Sequence, residues 1–224
     1  MTAADAPAPP AAWPPTAQRR GALAAAVLLW LHVDFYLDRR FHSLVIDVLG
    51  LSPWAQFVAE TAHFGCALLA LPLLGPGALR QVFGSRPAPA AMVAGMVAAL
   101  VAAPMFWGYA WLIARAGHAP SIGSMTAFYW AEHLRRILLG PLAEELLCRG
   151  LLWAALRRLA SARVAIALTA LVFMLLHGPE RVRDFPCLFA FGLLMGALRH
   201  RSGSLSPTIL AHSATNLGLM VFFA

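Results

Sequence analysis

The 224-residue chain contains no lysine; all 17 of its basic residues are arginine. Charge of either sign is scarce. Charged residues make up 12% of the sequence and hydrophobic ones 60%, whereas an ordinary soluble domain carries about 25% charged residues. So few charges cannot coat a globule of this size with polar groups, which argues against a water-soluble fold and for a bilayer as solvent. Cysteine is scarce too. Cys66, Cys148 and Cys187 are isolated, odd in number and without a CxxC pair. That pattern supports neither a disulfide framework nor a zinc knuckle, and buried thiols are expected.

The arginines that are present fall between apolar runs: Arg19-Arg20, Arg39-Arg40, Arg80, Arg86, Arg157-Arg158, Arg181, Arg183, Arg199 and Arg201. Charges at membrane interfaces are placed this way. The net charge of +7 is not gathered into a patch, so nucleic acid is excluded as a partner and membrane lipid is expected. Residues 1–18, rich in Ala and Pro, read as a disordered tail. The basic pair and GALAAAVLLWLHV have the outline of a signal sequence without its cleavage site, and are read as a retained membrane helix over about 20–37. Apolar segments follow at about 55–75, 89–114, 163–177, 186–198 and 207–224. The two at 163–177 and 186–198 are shorter than the roughly 20 residues a span needs and are expected inside the bundle, where protein meets their ends. MTAFYWAEHLRRILLG, 125–140, mixes charge and aromatics as a helix lying in the interface does. Pro141 then opens or kinks the next helix. The predicted fold is all-α: a polytopic transmembrane bundle of about six to eight membrane helices with one interfacial amphipathic helix. Its parts are the tail 1–18, N-terminal membrane helices 19–124 and a core 125–224.

That core contains PLAEELLCRGLL, Pro141 to Leu152, which sets Glu144, Glu145 and Arg149 among leucines. On the insertion scale three charges at a helix centre cost about 7–10 kcal/mol, and the six leucines from Leu139 to Leu152 return only about 2–4. Such a helix cannot face lipid; its charges must meet polar groups or water within the bundle. Glu145 and Arg149 are four apart with the acid N-terminal, the favourable order for an ion pair. Glu144 points about 100° away, and its own helix offers no base at i+3 or i+4, where Leu147 and Cys148 stand. A carboxylate so placed is a functional-site candidate.

Later apolar segments offer partners at the same helical step: Phe173 with His177 in FMLLHG, and His212 with Asn216 in PTILAHSATN. His63 is read as structural. The set suffices for amide hydrolysis without a serine or cysteine nucleophile. A carboxylate and an imidazole can hold a water and take its proton; a second imidazole and an amide can donate to the oxygen that becomes negative.

EELLCR fits EExxxR, FMLLH fits FxxxH and HSATN fits HxxxN, in that order. In these motifs the chain resembles the CPBP family of glutamic-type intramembrane proteases, the CAAX-processing and bacteriocin-processing group that includes Ras-converting enzyme. Pro141, Gly150 and the glycine-bearing FGLLMGALRHRSGSL agree with the family pattern; Cys148 departs from it where many members have Phe. The resemblance covers about 125–220 and makes the core a catalytic one. It implies that Glu144 and His177 activate water, that His212 and Asn216 form the oxyanion hole, and that Glu145 and Arg149 brace the motif helix. No HExxH, GxSG or GxGD is present, so other intramembrane-protease plans fit worse.

The implied activity is an endopeptidase acting near a membrane surface on a peptide or membrane-protein substrate: a prenylated tail, a leader peptide or a C-terminal anchor. No cofactor is required, although a Glu and two His can also bind zinc, a second version of the protease. A non-catalytic binding, immunity or scaffold protein would use the same cluster to hold a peptide or prenyl group. A transporter fits less well, because no internal repeat or matched pair of broken helices is present. The all-arginine composition and the Ala/Pro tail lean toward a bacterial inner membrane, which ranks prenylated tails lowest.

Overall fold

A computed structural model describes residues 13–32, 48, 53–118 and 134–223. Among these residues the chain is helical, with no strand beyond one isolated bridge, Gly84 to Ser204. The helices are α1 (Pro15–His32), α2 (Pro53–Leu68), the single turn α3 (Leu71–Leu74), α4 (Ala78–Phe83) and α5 (Pro89–Arg115). A composite helix over 135–156 carries the acidic motif and is called the motif helix. After it come α6 (Ala162–Leu175), α7 (Phe185–Ser202) and α8 (Ser206–Phe223).

Expected and observed boundaries agree closely from α5 onward and differ before it. α1 begins at Pro15, so residues 15–18 of the expected disordered tail are helical and Arg19-Arg20 lie within the helix. Proline is pre-set for a first helical turn, and arginine is a good helix former. The segment expected over 55–75 is divided by a turn at Leu69–Ala70; Pro72 just beyond cannot donate a helical hydrogen bond. Of the expected interfacial helix, 125–133 lies outside the described residues, and its end runs unbroken into the motif helix. α5 is the one helix among the described residues long and apolar enough to cross a membrane.

α6 packs along α7, and α5 along α8. Gly192 makes the first contact close: a Cβ there would lie 2.8 Å from Ala170 Cα. One core cluster joins Leu28 and Leu74 to Leu151, Leu152 and Leu205. A second joins Phe106 to Phe173, Phe191 and Met195. Between α4 and the α7–α8 connection the backbones strap together. Ser85 N donates to Gly203 O at 3.1 Å and Leu205 N to Phe83 O at 3.0 Å. Gly84, at φ 78°, allows this approach, since a Cβ there would sit 1.9 Å from Gly203 O.

Two of the arginines expected at interfaces are instead buried. Arg158 donates to Gln81 Oε1 and to Leu74 O, both at 2.6 Å, and Arg199 is 4% exposed. Hydropathy alone ends the seventh helix at residue 198, whereas it continues to Ser202 and carries Arg199 inward.

Candidate active site

The motif helix alternates between two windings. Arg135–Leu139 is π, Gly140–Glu145 α, Leu146–Leu152 π and Trp153–Leu156 α, with helical dihedrals at each junction. In the first π segment Gly140 N–H bonds Arg135 O, five residues back. The wider turn gives the ring of Pro141 room within an unbroken helix, where an α turn would clash with it. Pro141 therefore opens an α segment, as expected, without breaking the helix before it. Having no N–H, it cannot close the same bond onto the Arg136 carbonyl, and Asn216 Nδ2 from α8 donates to that carbonyl at 2.8 Å.

Glu145 and Arg149 form the ion pair their spacing suggests, Nη1 to Oε1 at 2.9 Å, both side chains fully buried. Arg149 also donates to Gly192 O at 3.1 Å and stacks over Phe173, 4.6 Å from its ring centroid, a cation–π contact. Glu145 Oε1 has a second partner, His212 Nδ1 at 3.0 Å. His212 Nε2, on the other side of the same ring, stands 3.9 Å from Glu144 Oε2. One imidazole thus faces both carboxylates of the tandem pair. This answers how neighbours about 100° apart on a helix serve one site: a ring with nitrogens on two edges lies between them.

The carboxylates differ in access. The Glu145 side chain is fully buried, while that of Glu144 is 31% exposed. His177 caps the far end of α6, with Nδ1 2.9 Å from Phe173 O. A carbonyl only accepts, so Nδ1 carries the proton, and it is the neutral form of the ring that offers a lone pair at Nε2. Phe173 contacts both imidazoles, its ring centroid 4.8 Å from that of His177 and 5.7 Å from that of His212; the Phe191 centroid lies 5.0 Å from that of His212. The aromatic edges hold both rings and keep their surroundings apolar.

Of the residues singled out from sequence, Glu144, Glu145, Arg149, Phe173 and His212 are linked by these contacts, and His177 joins them through Phe173. Asn216 shares a helix with His212 and is anchored on the motif helix at Arg136, about two turns before Glu144. The side chain of His63 lies outside the described residues. Two participants escaped the sequence reading. Gly192, read as part of a family pattern, supplies the carbonyl that holds Arg149. Glu145 reaches His212 as well as Arg149, which no within-helix spacing could have revealed. Among the described residues, no three His, Cys, Asp or Glu side chains are grouped as metal ligands.

Fold and site together define a helical protein in which acid and imidazole side chains from separate apolar helices share one enclosed cluster. The comparison with known families gives one match: residues 125–218 fit the model for Rce1-like proteins, described as type II CAAX prenyl endopeptidase Rce1-like, so this part of the chain is similar to that family. A family of that description implies membrane association and a peptide substrate. No curated protein and no solved structure matches.

Proposed function

We propose that the chain is a multi-pass intramembrane endopeptidase that hydrolyses a peptide bond near the membrane surface with Glu144, His177, His212 and Asn216. The observation that carries this reading is the placement of His212, bonded to Glu145 at 3.0 Å through Nδ1 and facing Glu144 through Nε2 at 3.9 Å. Glu144, the more accessible acid, takes a proton from a water that the Nε2 lone pair of His177 orients. The hydroxide attacks the peptide carbonyl carbon, and the carbonyl oxygen becomes negative. His212 Nε2–H and the second amide N–H of Asn216 donate to that oxygen. Collapse of the tetrahedral species breaks the C–N bond, and Glu144 returns its proton to the leaving amine. For His212 to donate at both nitrogens it must be the imidazolium. Two carboxylates then balance one guanidinium and one imidazolium, so the buried cluster carries no net charge. No step is routed through zinc.

The substrate is a leader peptide, a C-terminal anchor or a prenylated tail, the last being the poorest fit to a bacterial inner-membrane protein. Proteoliposomes holding the purified full chain and a representative of each class test this. Wild type cleaves one class and Glu144→Ala cleaves none while unfolding at the wild-type temperature. Binding without turnover, unchanged in Glu144→Gln, points instead to a binding or immunity protein. Inhibition by a chelator, reversed by zinc, supports the metal-dependent version.

A further inference from the structure

Arg199 is a buried cation for which the hydrolytic reading has no use. It lies on α7 at 4% exposure, and among the described residues its hydrogen-bond partners are all backbone carbonyls. Nε donates to Arg149 O at 3.0 Å. Nη2 donates to Gln81 O at 3.0 Å and Val82 O at 3.2 Å. The first carbonyl belongs to the second π segment of the motif helix, and the other two to the last turn of α4. A helix end leaves carbonyls without intrahelical partners, and a π turn changes which carbonyls its N–H groups reach. The planar fork of a guanidinium reaches acceptors on two elements at once, which an ammonium cannot do in the same geometry.

We infer that Arg199 is a positioning residue: it clamps the π segment of the motif helix to α4 and thereby sets where Arg149, and through it Glu145 and His212, stand. The chain of contacts is continuous. Arg199 holds the Arg149 backbone, the Arg149 side chain holds Glu145 Oε1, and the same oxygen holds His212 Nδ1. Gly150, next to the clamped carbonyl, leaves α4 room to approach; a Cβ there would lie 2.9 Å from Val82 Cγ1. The clamp itself is independent of the protease reading, whereas its effect on turnover rests on that reading.

A thiol beside the clamp reports on it without any substrate. Cys148 precedes Arg149 and is fully buried; Cys187, also buried, lies near the other end of α7 from Arg199. In the full chain in lipid nanodiscs, Arg199→Met is expected to speed maleimide labelling of Cys148 about tenfold or more by local opening, with Cys187 unchanged. Arg199→Lys, able to replace only part of the fork, falls between. On any peptide the wild type cleaves, Arg199→Met lowers kcat by about 10²-fold through misplacement of the site and leaves KM in place. Unchanged labelling at Cys148 overturns the clamp, and equal acceleration at both thiols reduces it to general stability. Faster Cys148 labelling with unaltered kcat keeps the clamp and removes its link to catalysis. If the wild type cleaves nothing, the labelling alone decides, and it is the protease reading that fails.

Discussion

At the level of single residues, the site depends on one carboxylate with two partners. Glu145 neutralises Arg149 and orients His212, and the two tasks separate by mutation. Arg149→Met leaves the buried cluster one cation short of its two carboxylates and is expected to cost about 3–5 kcal/mol of stability, as breaking such pairs does. Adding Glu145→Gln removes the orphaned charge and recovers most of that loss, since an ion pair replaced at both ends is close to neutral. Activity does not return, because His212 has lost the carboxylate that supports its imidazolium. Thermal unfolding and peptide cleavage, measured on both variants, check this. A double variant that regains both would make Glu145 no more than a brace. Glu145 and Arg149 could be paired in advance from their spacing, because a helix fixes its own i and i+4 neighbours. That Glu145 also meets His212 could not, since the contact joins residues 67 apart and depends on how α8 is rotated.

At the level of elements, periodicity and composition located the helices from α5 onward to within a few residues, because long apolar runs bounded by Pro, Ser and Gly leave little choice of ends. Winding was not legible. Nothing in LLCRGLL distinguishes a π segment from an α one, as the choice follows from packing against α4 and α7. The C-terminal end of α7 was misjudged for a related reason. Arginine scores as a boundary on any hydropathy scale, yet Arg199 is held inside by backbone carbonyls that sequence does not display. The contact between α6 and α7 makes a prediction of its own. Gly192→Ala places a methyl carbon 2.8 Å from Ala170 Cα and 2.9 Å from Ala170 Cβ. Neither backbone can yield without the helices parting, so the variant is expected to lose about 1–3 kcal/mol, the usual cost of overpacking. It also draws the Gly192 carbonyl away from Arg149 and lowers turnover. Wild-type stability in a denaturant titration of the variant would show that the helices have slack.

For the whole molecule, scarcity of charge points to the membrane by itself, with no motif needed. The division at about residue 125 is less secure as a folding boundary. The family match begins there, but the core is tied to what precedes it. Arg199 and Leu205 bond backbone atoms of α4, and α5 packs along α8. A fragment comprising 125–224 is therefore expected to fail to accumulate in membranes, while co-expression with 1–124 restores it and its activity. Protease protection of the two fragments, expressed apart and together, measures this; a stable, active fragment would make the core self-sufficient.

The central claim is that Glu144, brought beside His212 by the motif helix, is the base that activates water. Its most direct test is the turnover of Glu144→Gln in proteoliposomes beside wild type, on the same peptide and with binding measured in parallel. The change keeps size and shape and removes only the basic oxygen. The account predicts that the peptide binds as before and that kcat falls by about 10²–10⁴-fold, the contribution of a positioned general base. Turnover within a factor of about two of wild type would contradict it.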